Sequence, residues 1–217
     1  MLSKTFSFIK HFIAPPFCLS CKNFLDYDLV LCDPCARQIR PIVSKTLEIS
    51  STKRIQVYAV GAYDRPLVPL ILAKSYGNRT TAHQLGTLIW DYTVVSHVPF
   101  DYIVPIPLHW TRYAWRGYNQ ADEIARIVAD RSGKPVENIL MRSRRTKYQS
   151  FFKGADRLTN VADIFTIAAK DSERYKDKHL LLVDDVMTSG ATVKEAAKLL
   201  YELKPASISA VVVARVG

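Results

Sequence analysis

Apolar positions along this chain recur in two rhythms that trade places from residue 55 onward. Leu85, Leu88, Ile89 and Tyr92 follow the i, i+3, i+4, i+7 spacing of a helix with one buried face, and Ala121, Ile124, Ala125 and Val128 repeat it. Val193, Ala196, Ala197, Leu200 and Leu203 form a third stripe, and Leu67 to Tyr76 reads as a further helix. Between them, Val57 to Tyr63, Tyr102-Ile103-Val104-Pro105 and the closing stretch of Ile208 and 210–214 read as strands. Leu180-Leu181-Leu182-Val183 is a continuous apolar run, as expected of a strand covered on both faces of a parallel sheet. The alternation predicts an α/β fold, a mostly parallel sheet flanked by helices, with ligands at the carboxyl ends of its strands.

The first forty residues follow a different pattern. Phe6, Ile9 and Ile13 share one helical face over residues 3–13 until Pro15-Pro16 end it, giving a short amphipathic lead-in. Docking on the body of the protein is the simpler use of such a face, and a membrane surface the other. The polar stretch from Val43 to Arg54 reads as a linker. The expected organisation is therefore a lead-in and cysteine-bearing unit over 1–42, a linker over 43–54 and an α/β domain over 55–217.

Composition narrows the class. With 217 residues and 48% hydrophobic content the chain buries a full core, and 30 Lys and Arg against 20 acids give a formal charge of +10, which favours polyanionic partners. Lys10 and His11 interrupt any leader-like apolar run, and no stretch approaches the roughly 18 apolar residues of a membrane span, so the expectation is a cytoplasmic protein that is not integral to a membrane. The four cysteines fall into two pairs, Cys18-x-x-Cys21 and Cys32-x-x-Cys35, separated by ten residues. That is the spacing of a knuckle in which four thiolates hold Zn2+ tetrahedrally. A redox pair would need only one such motif, and the expected zinc is structural, substituting for a core that so short a unit cannot form.

The apolar strand at 180–183 runs into Asp184-Asp185-Val186-Met187-Thr188-Ser189-Gly190-Ala191-Thr192, and a helix begins near Thr192. A loop of this kind at a helix amino terminus gathers backbone N–H groups around a phosphate, with hydroxyls of Thr188, Ser189 and Thr192 as extra donors. Asp184 and Asp185 would repel that phosphate, so their natural role is to hold hydroxyls of an attached sugar, directly or through a divalent cation. The combination points to a ribose phosphate. A Walker B strand would look alike, but no Gly-x-x-x-x-Gly-Lys-Ser/Thr or Gly-x-Gly-x-x-Gly loop occurs among the eight glycines. The plain alternative is that Asp and Thr merely cap the last helix.

Leu181 to Thr192 resembles the signature for phosphoribosyl pyrophosphate (PRPP) in type I phosphoribosyltransferases. Together with the cysteine pairs, Val104-Pro105-Ile106-Pro107-Leu108-His109 with Arg112 to Gln120, and Leu140 to Phe165, it resembles the competence protein F family, which is similar to the amidophosphoribosyltransferase group. The resemblance implies a type I phosphoribosyltransferase fold behind an N-terminal four-cysteine zinc knuckle, with PRPP held by residues 184–192 and Mg2+ bound with it. It also implies that the loop after the 102–105 strand faces pyrophosphate. There Arg112, Trp115 and Arg116 would contact either diphosphate or the bases of single-stranded DNA. His109 is not assigned as a base. Arg142, Arg144, Arg145, Lys147, Lys153 and Arg157 fall in a segment that matches the hood of related transferases, where Gln149 would contact pyrophosphate or DNA and Arg157, with Asp184 and Asp185, would stabilise charge during catalysis; the plain alternative is an ordinary solvated loop.

Two functions stay open at this point. One is a transferase that moves the phosphoribosyl group of PRPP to a nitrogen acceptor during natural transformation. The other is a non-catalytic single-stranded-DNA adapter that keeps the phosphoribosyl site as a sensor or vestige. Both carry the family's setting, in which competence-machinery proteins at the inner membrane are further partners and the protein lies in the cytoplasm or peripheral to that membrane.

Overall fold

A computed structural model describes residues 17–25, 29–73, 79–108, 117–142, 165–168 and 173–217. Its centre is a five-stranded sheet built from β1 (Lys45–Glu48), β2 (Arg54–Ala62), β3 (Tyr102–Pro105), β6 (His179–Met187) and β7 (Ser207–Arg215), in the order β1-β2-β7-β6-β3. Strands β2, β7, β6 and β3 run parallel and only β1 is antiparallel, on β2. The expected mostly parallel α/β sheet is what forms. A two-stranded antiparallel hairpin, β4 (Leu140–Arg142) with β5 (Phe165–Ile167), stands apart from it.

Alternate residues of each strand feed two cores, as the pleat requires. On one face Ile103, Leu181, Val183, Val211 and Val213 pack with Leu85 and Ile89 of α3 (Arg79–Tyr92) and Ile124, Ala125 and Val128 of α4 (Gln120–Ser132). Leu67, Leu70 and Ile71 of α2 (Leu67–Ala73) close that layer. On the other face Val104, Leu180, Leu182, Ala210 and Val212 pack with Val193, Ala196, Ala197 and Leu200 of α5 (Ala191–Leu200). The periodicities in the sequence thus mark the buried stripes, except that Tyr92, the last position of the first stripe, is exposed. Helices α3 and α4 meet at Gly86, where a Cβ would stand 2.6 Å from that of Ile127, so only glycine allows this approach.

The described residues of the cysteine unit, which contains the short helix α1 (Asp33–Ala36), share a core with the α/β body. Cys18, Val30, Leu31, Cys35 and Ile39 belong to the same buried cluster as α2 and α3. The stretch expected to be a linker also differs from its reading. Residues 45–48 pair with 54–57, Leu47 opposite Ile55, and Leu47 is buried beneath the turn before α5. Alternation within Lys45-Thr46-Leu47-Glu48 is too short to stand out among polar neighbours, and pairing with β2 decides its fate instead. The lead-in at residues 3–13 lies outside the described residues.

Candidate functional site

The sheet opens where β3 ends. Strand β6 pairs with β3 only through Leu180–Val183, while on its other edge β7 continues to pair as far as Met187. Ile106 makes one last bond, its N–H donating to Val183 O at 2.9 Å, before the chain leaves through Pro107. Asp184 and Asp185 therefore sit inside β6 rather than after it, on a stretch that has a neighbour on one side and a cleft on the other. The Asp185 N–H donates to Asp184 Oδ1 at 2.8 Å, which fixes the first carboxylate against the backbone.

Beyond Met187 the chain turns through Thr188, Ser189 and Gly190 into α5. Gly190 is the N-cap in the left-handed region, φ 81°, and supplies no side-chain cap to the first-turn amides of α5, the groups that bind anions at helix starts. Ser189 Oγ accepts a long bond, 3.4 Å, from the Ala191 N–H. Asp184, Asp185, Val186, Thr188 and Thr192 line one cavity of about 370 Å3. Met187 is buried instead, and Ser189, Gly190 and Ala191 are not among the described residues that line the cavity.

The opposite wall comes from α4 and the hairpin. Asn119 caps α4, its Oδ1 accepting from the Ala121 N–H at 3.3 Å, while its Nδ2 donates to Ile106 O at 3.1 Å. One side chain thus ties the exit of β3 to the start of α4. Gln120, buried, follows it into the cavity wall, and Arg142 at the end of β4 brings a guanidinium that also lies 5.7 Å from the centre of the Phe165 ring. The cavity therefore combines carboxylates that can accept from sugar hydroxyls with hydroxyls, a helix start and a cation that can serve phosphate oxygens.

A second cluster lies on the α3 face. The Sγ atoms of Cys18, Cys21, Cys32 and Cys35 all fall within 4.8 Å of one another, and Cys21 and Cys32 are 3.7 Å apart. Four thiolates about 2.3 Å from a tetrahedral metal have edges of about 3.8 Å, so the spacing fits an ion such as zinc. Burial pushes the Cys18 thiol up, but N–H groups of Cys21, Cys32 and Ser20 pointing at its sulfur more than offset this and bring it down to about 6. Cys35 lacks that support; burial and the neighbouring thiols push it up to about 12.

Residues 116–217 match the Phosphoribosyl transferase domain family. Over 195 residues the chain is 31% identical to competence protein F of Haemophilus influenzae, covering 87% of this chain and 80% of that protein. It belongs to the competence protein F family. A DNA utilization protein of Escherichia coli K12, YhgH, is 30% identical over 70% of this chain and 69% of its own length. Competence protein ComFC of Bacillus subtilis is 36% identical, but over 49% of this chain and 41% of the relative.

For this competence protein F relative the type I phosphoribosyltransferase fold read from 181–192 is the fold observed. Of the residues singled out in the sequence, five of the nine in 184–192 meet in one cavity, and the four cysteines meet in one cluster. Arg112, Trp115, Arg116, Gln149 and Arg157 lie outside the described residues, as does His109. Asn119 and Gln120 were part of the family match without a role of their own. The signal for Asn119 was present, an Asn standing just before the apolar stripe of a helix. Among the described residues no helix is long and apolar enough to cross a membrane.

Proposed function

We propose that this chain binds PRPP in the cavity at the ends of β3 and β6 and transfers its phosphoribosyl group to a nitrogen acceptor, releasing pyrophosphate, as part of DNA uptake in the cytoplasm. The observation that supports this is the meeting of Asp184, Asp185, Thr188 and Thr192 in a single cavity of ribose-phosphate size. The hydroxyls and the start of α5 would take the 5′-phosphate, and the two carboxylates the ribose hydroxyls. Mg2+, bound with PRPP, would shield the diphosphate charge, and the carboxylates are the ligands such an ion takes. Arg142, which lines the cavity, would meet the diphosphate, joined on sequence grounds by Gln149 and Arg157. In the reaction the bond from the anomeric carbon to pyrophosphate breaks as the carbon–nitrogen bond forms, and the acceptor nitrogen gives up a proton. The protein's part is positioning and charge stabilisation, with no nucleophilic side chain. The cysteine cluster would hold a structural Zn2+.

The names of the relatives, competence and DNA utilization, motivate the setting. The net charge of +10 supports a second reading, a single-stranded-DNA adapter that uses the same cavity as a sensor. Calorimetric titration with PRPP and Mg2+ tests the first element of both. Heat of binding that disappears in a Thr188→Ala/Thr192→Ala variant supports the site, and no binding to the intact chain sinks it. Turnover separates the two readings: pyrophosphate release across a panel of bases and amines marks the enzyme, and binding without release the adapter.

A further inference from the structure

Another cavity, of about 450 Å3, lies at the other end of the sheet from the site just described. Phe100 and Asp101 lead into β3 and His179 begins β6, so the amino ends of these two strands frame it, as their carboxyl ends frame the first cavity. Six residue steps along β6 separate His179 from Asp185, about 20 Å of extended chain. Ligands of a parallel α/β sheet gather at the carboxyl ends of its strands, so the phosphoribosyl reading makes no use of this cavity.

Two kinds of chemistry line it. Trp90, partly buried in the last turn of α3, joins Phe100 as the aromatic lining. Arg131, Lys134 and His179 bring the cations and N–H donors. Gly133 ends α4 in the left-handed region, φ 70°, and the Lys134 N–H donates to Ser132 Oγ at 3.2 Å, a turn that keeps Lys134 on the cavity that Arg131 also lines. Among the described residues neither cation forms an ion pair. His179 is held at two points: its backbone N–H donates to Asp101 Oδ2 at 2.9 Å, and its Nδ1 lies 2.7 Å from Ser207 Oγ. With the Ser207 hydroxyl donating, the ring proton sits on Nε2, the form that can donate to an anion. Arg131 alone would be accounted for as the complement of the α4 dipole; an indole, a second cation and an oriented imidazole in the same cavity would not.

A guanidinium fork beside an ammonium suits phosphate oxygens, and an indole suits a planar ring. A ring and a phosphate joined by a sugar make a nucleotide, and this cavity is larger than the one of about 370 Å3 that is matched above to a ribose phosphate. We infer that the cavity at the amino ends of β3 and β6 binds a free mononucleotide, its base against Trp90 and its phosphate on Arg131, Lys134 and His179. This goes beyond the PRPP reading and stands or falls separately from it.

Fluorescence tests it in the full chain. There are three tryptophans, so Trp110→Phe/Trp115→Phe leaves Trp90 as the reporter, and Thr188→Ala/Thr192→Ala in the same chain disables the first cavity. AMP should quench Trp90 saturably. Arg131→Ala and Lys134→Ala should each weaken binding about tenfold, as should loss of the phosphate in adenosine, and Ser207→Ala should weaken it several-fold by releasing His179. No saturable quenching, or quenching indifferent to Arg131 and Lys134, overturns the inference. So does quenching by single-stranded oligo(dA) and not by AMP, which would give the cavity to a strand. Photolabelling is the second arm. With the parent chain in excess PRPP and Mg2+, 8-azido-AMP should label peptides within 90–101 or 131–134, and label confined to 184–192 refutes a second site.

Discussion

Gly190 stands directly over Leu47: a Cβ at position 190 would lie 3.2 Å from Leu47 Cδ1. The contact joins the antiparallel edge strand to the turn that starts α5, so the geometry of the candidate phosphate loop is set partly by a residue 143 positions earlier. Leu47 is 4% exposed, and its neighbours in the second core include the helix that the loop begins.

That relationship makes a prediction about coupling. Gly190→Ala must hold φ 81° with a side chain, at a cost of about 1–2 kcal/mol, and must also push Leu47 aside. Leu47→Ala should cost about 2–4 kcal/mol by leaving a void. In the double variant the clash is gone and only the backbone strain and the void are left, so urea unfolding should show a loss smaller than the sum of the singles. Strict additivity would mean that the loop does not rest on Leu47.

Asn119 should behave as a joint rather than a simple cap. Loss of an N-cap costs about 1 kcal/mol, and Asn119→Ala also strips Ile106 O of its side-chain donor. The expected result is a loss of about 2 kcal/mol in denaturant unfolding, with PRPP affinity lowered more than tenfold. Asn119→Asp keeps the cap acceptor and loses the donor to Ile106. It should recover at most about half of the lost stability, that of the cap, and little of the affinity.

How far the sequence could be read follows from which forces act locally. The stripes at 85–89, 121–128 and 193–200 reappear as the buried faces of α3, α4 and α5, because helical periodicity and core burial are the same fact, whereas Tyr92, the last member expected of the first stripe, is exposed. The loop at 184–192 was legible for a similar reason: its acids, hydroxyls and glycine are consecutive. Leu47 was not, because its burial depends on β2, itself held in place by β7. Arg142 was visible only as one cation among six; the hairpin that singles it out joins segments more than twenty residues apart. The length of β6 was underestimated too, since the apolar run stops at Val183 while β7 goes on pairing to Met187.

Tyr175 predicts an alkaline limit. It is 2% exposed, and burial, with Glu137 beside its hydroxyl, pushes its phenol up to about 12. The folded state thus disfavours the ionised form. The stabilisation of the neutral phenol is complete below about pH 10 and is lost as pH rises from there through 12. Two units correspond to about 2–3 kcal/mol. Tyr175→Phe should lose less stability than the parent between pH 9 and 12, by about that amount in urea melts. Parallel pH profiles for the two proteins would contradict this.

Asp185→Asn tests the acidic pair without changing shape. The substitution keeps the backbone N–H that Asp184 accepts, so the turn should hold and thermal stability should shift little. Affinity for PRPP with Mg2+ should fall at least tenfold, and pyrophosphate release, where it occurs, should disappear. Full affinity in this variant would place the ribose elsewhere.

Metal removal should act on one face of the sheet and spare the other. The cysteine unit leans on α3 through the Val30 to Gln84 bond and the shared cluster of Cys18, Leu31 and Leu85, whereas α5 and Leu47 pack on the opposite side. A unit this small draws its folding free energy largely from the ion, so one zinc per chain is expected by elemental analysis. Chelation should release it and raise amide exchange over residues 17–25 and 29–42. Exchange in β6, β7 and α5 should stay slow, and PRPP affinity should change by less than about threefold, because the two cores are separated by the sheet itself. Collapse of both faces together on chelation would mean that the cysteine cluster supports the whole fold.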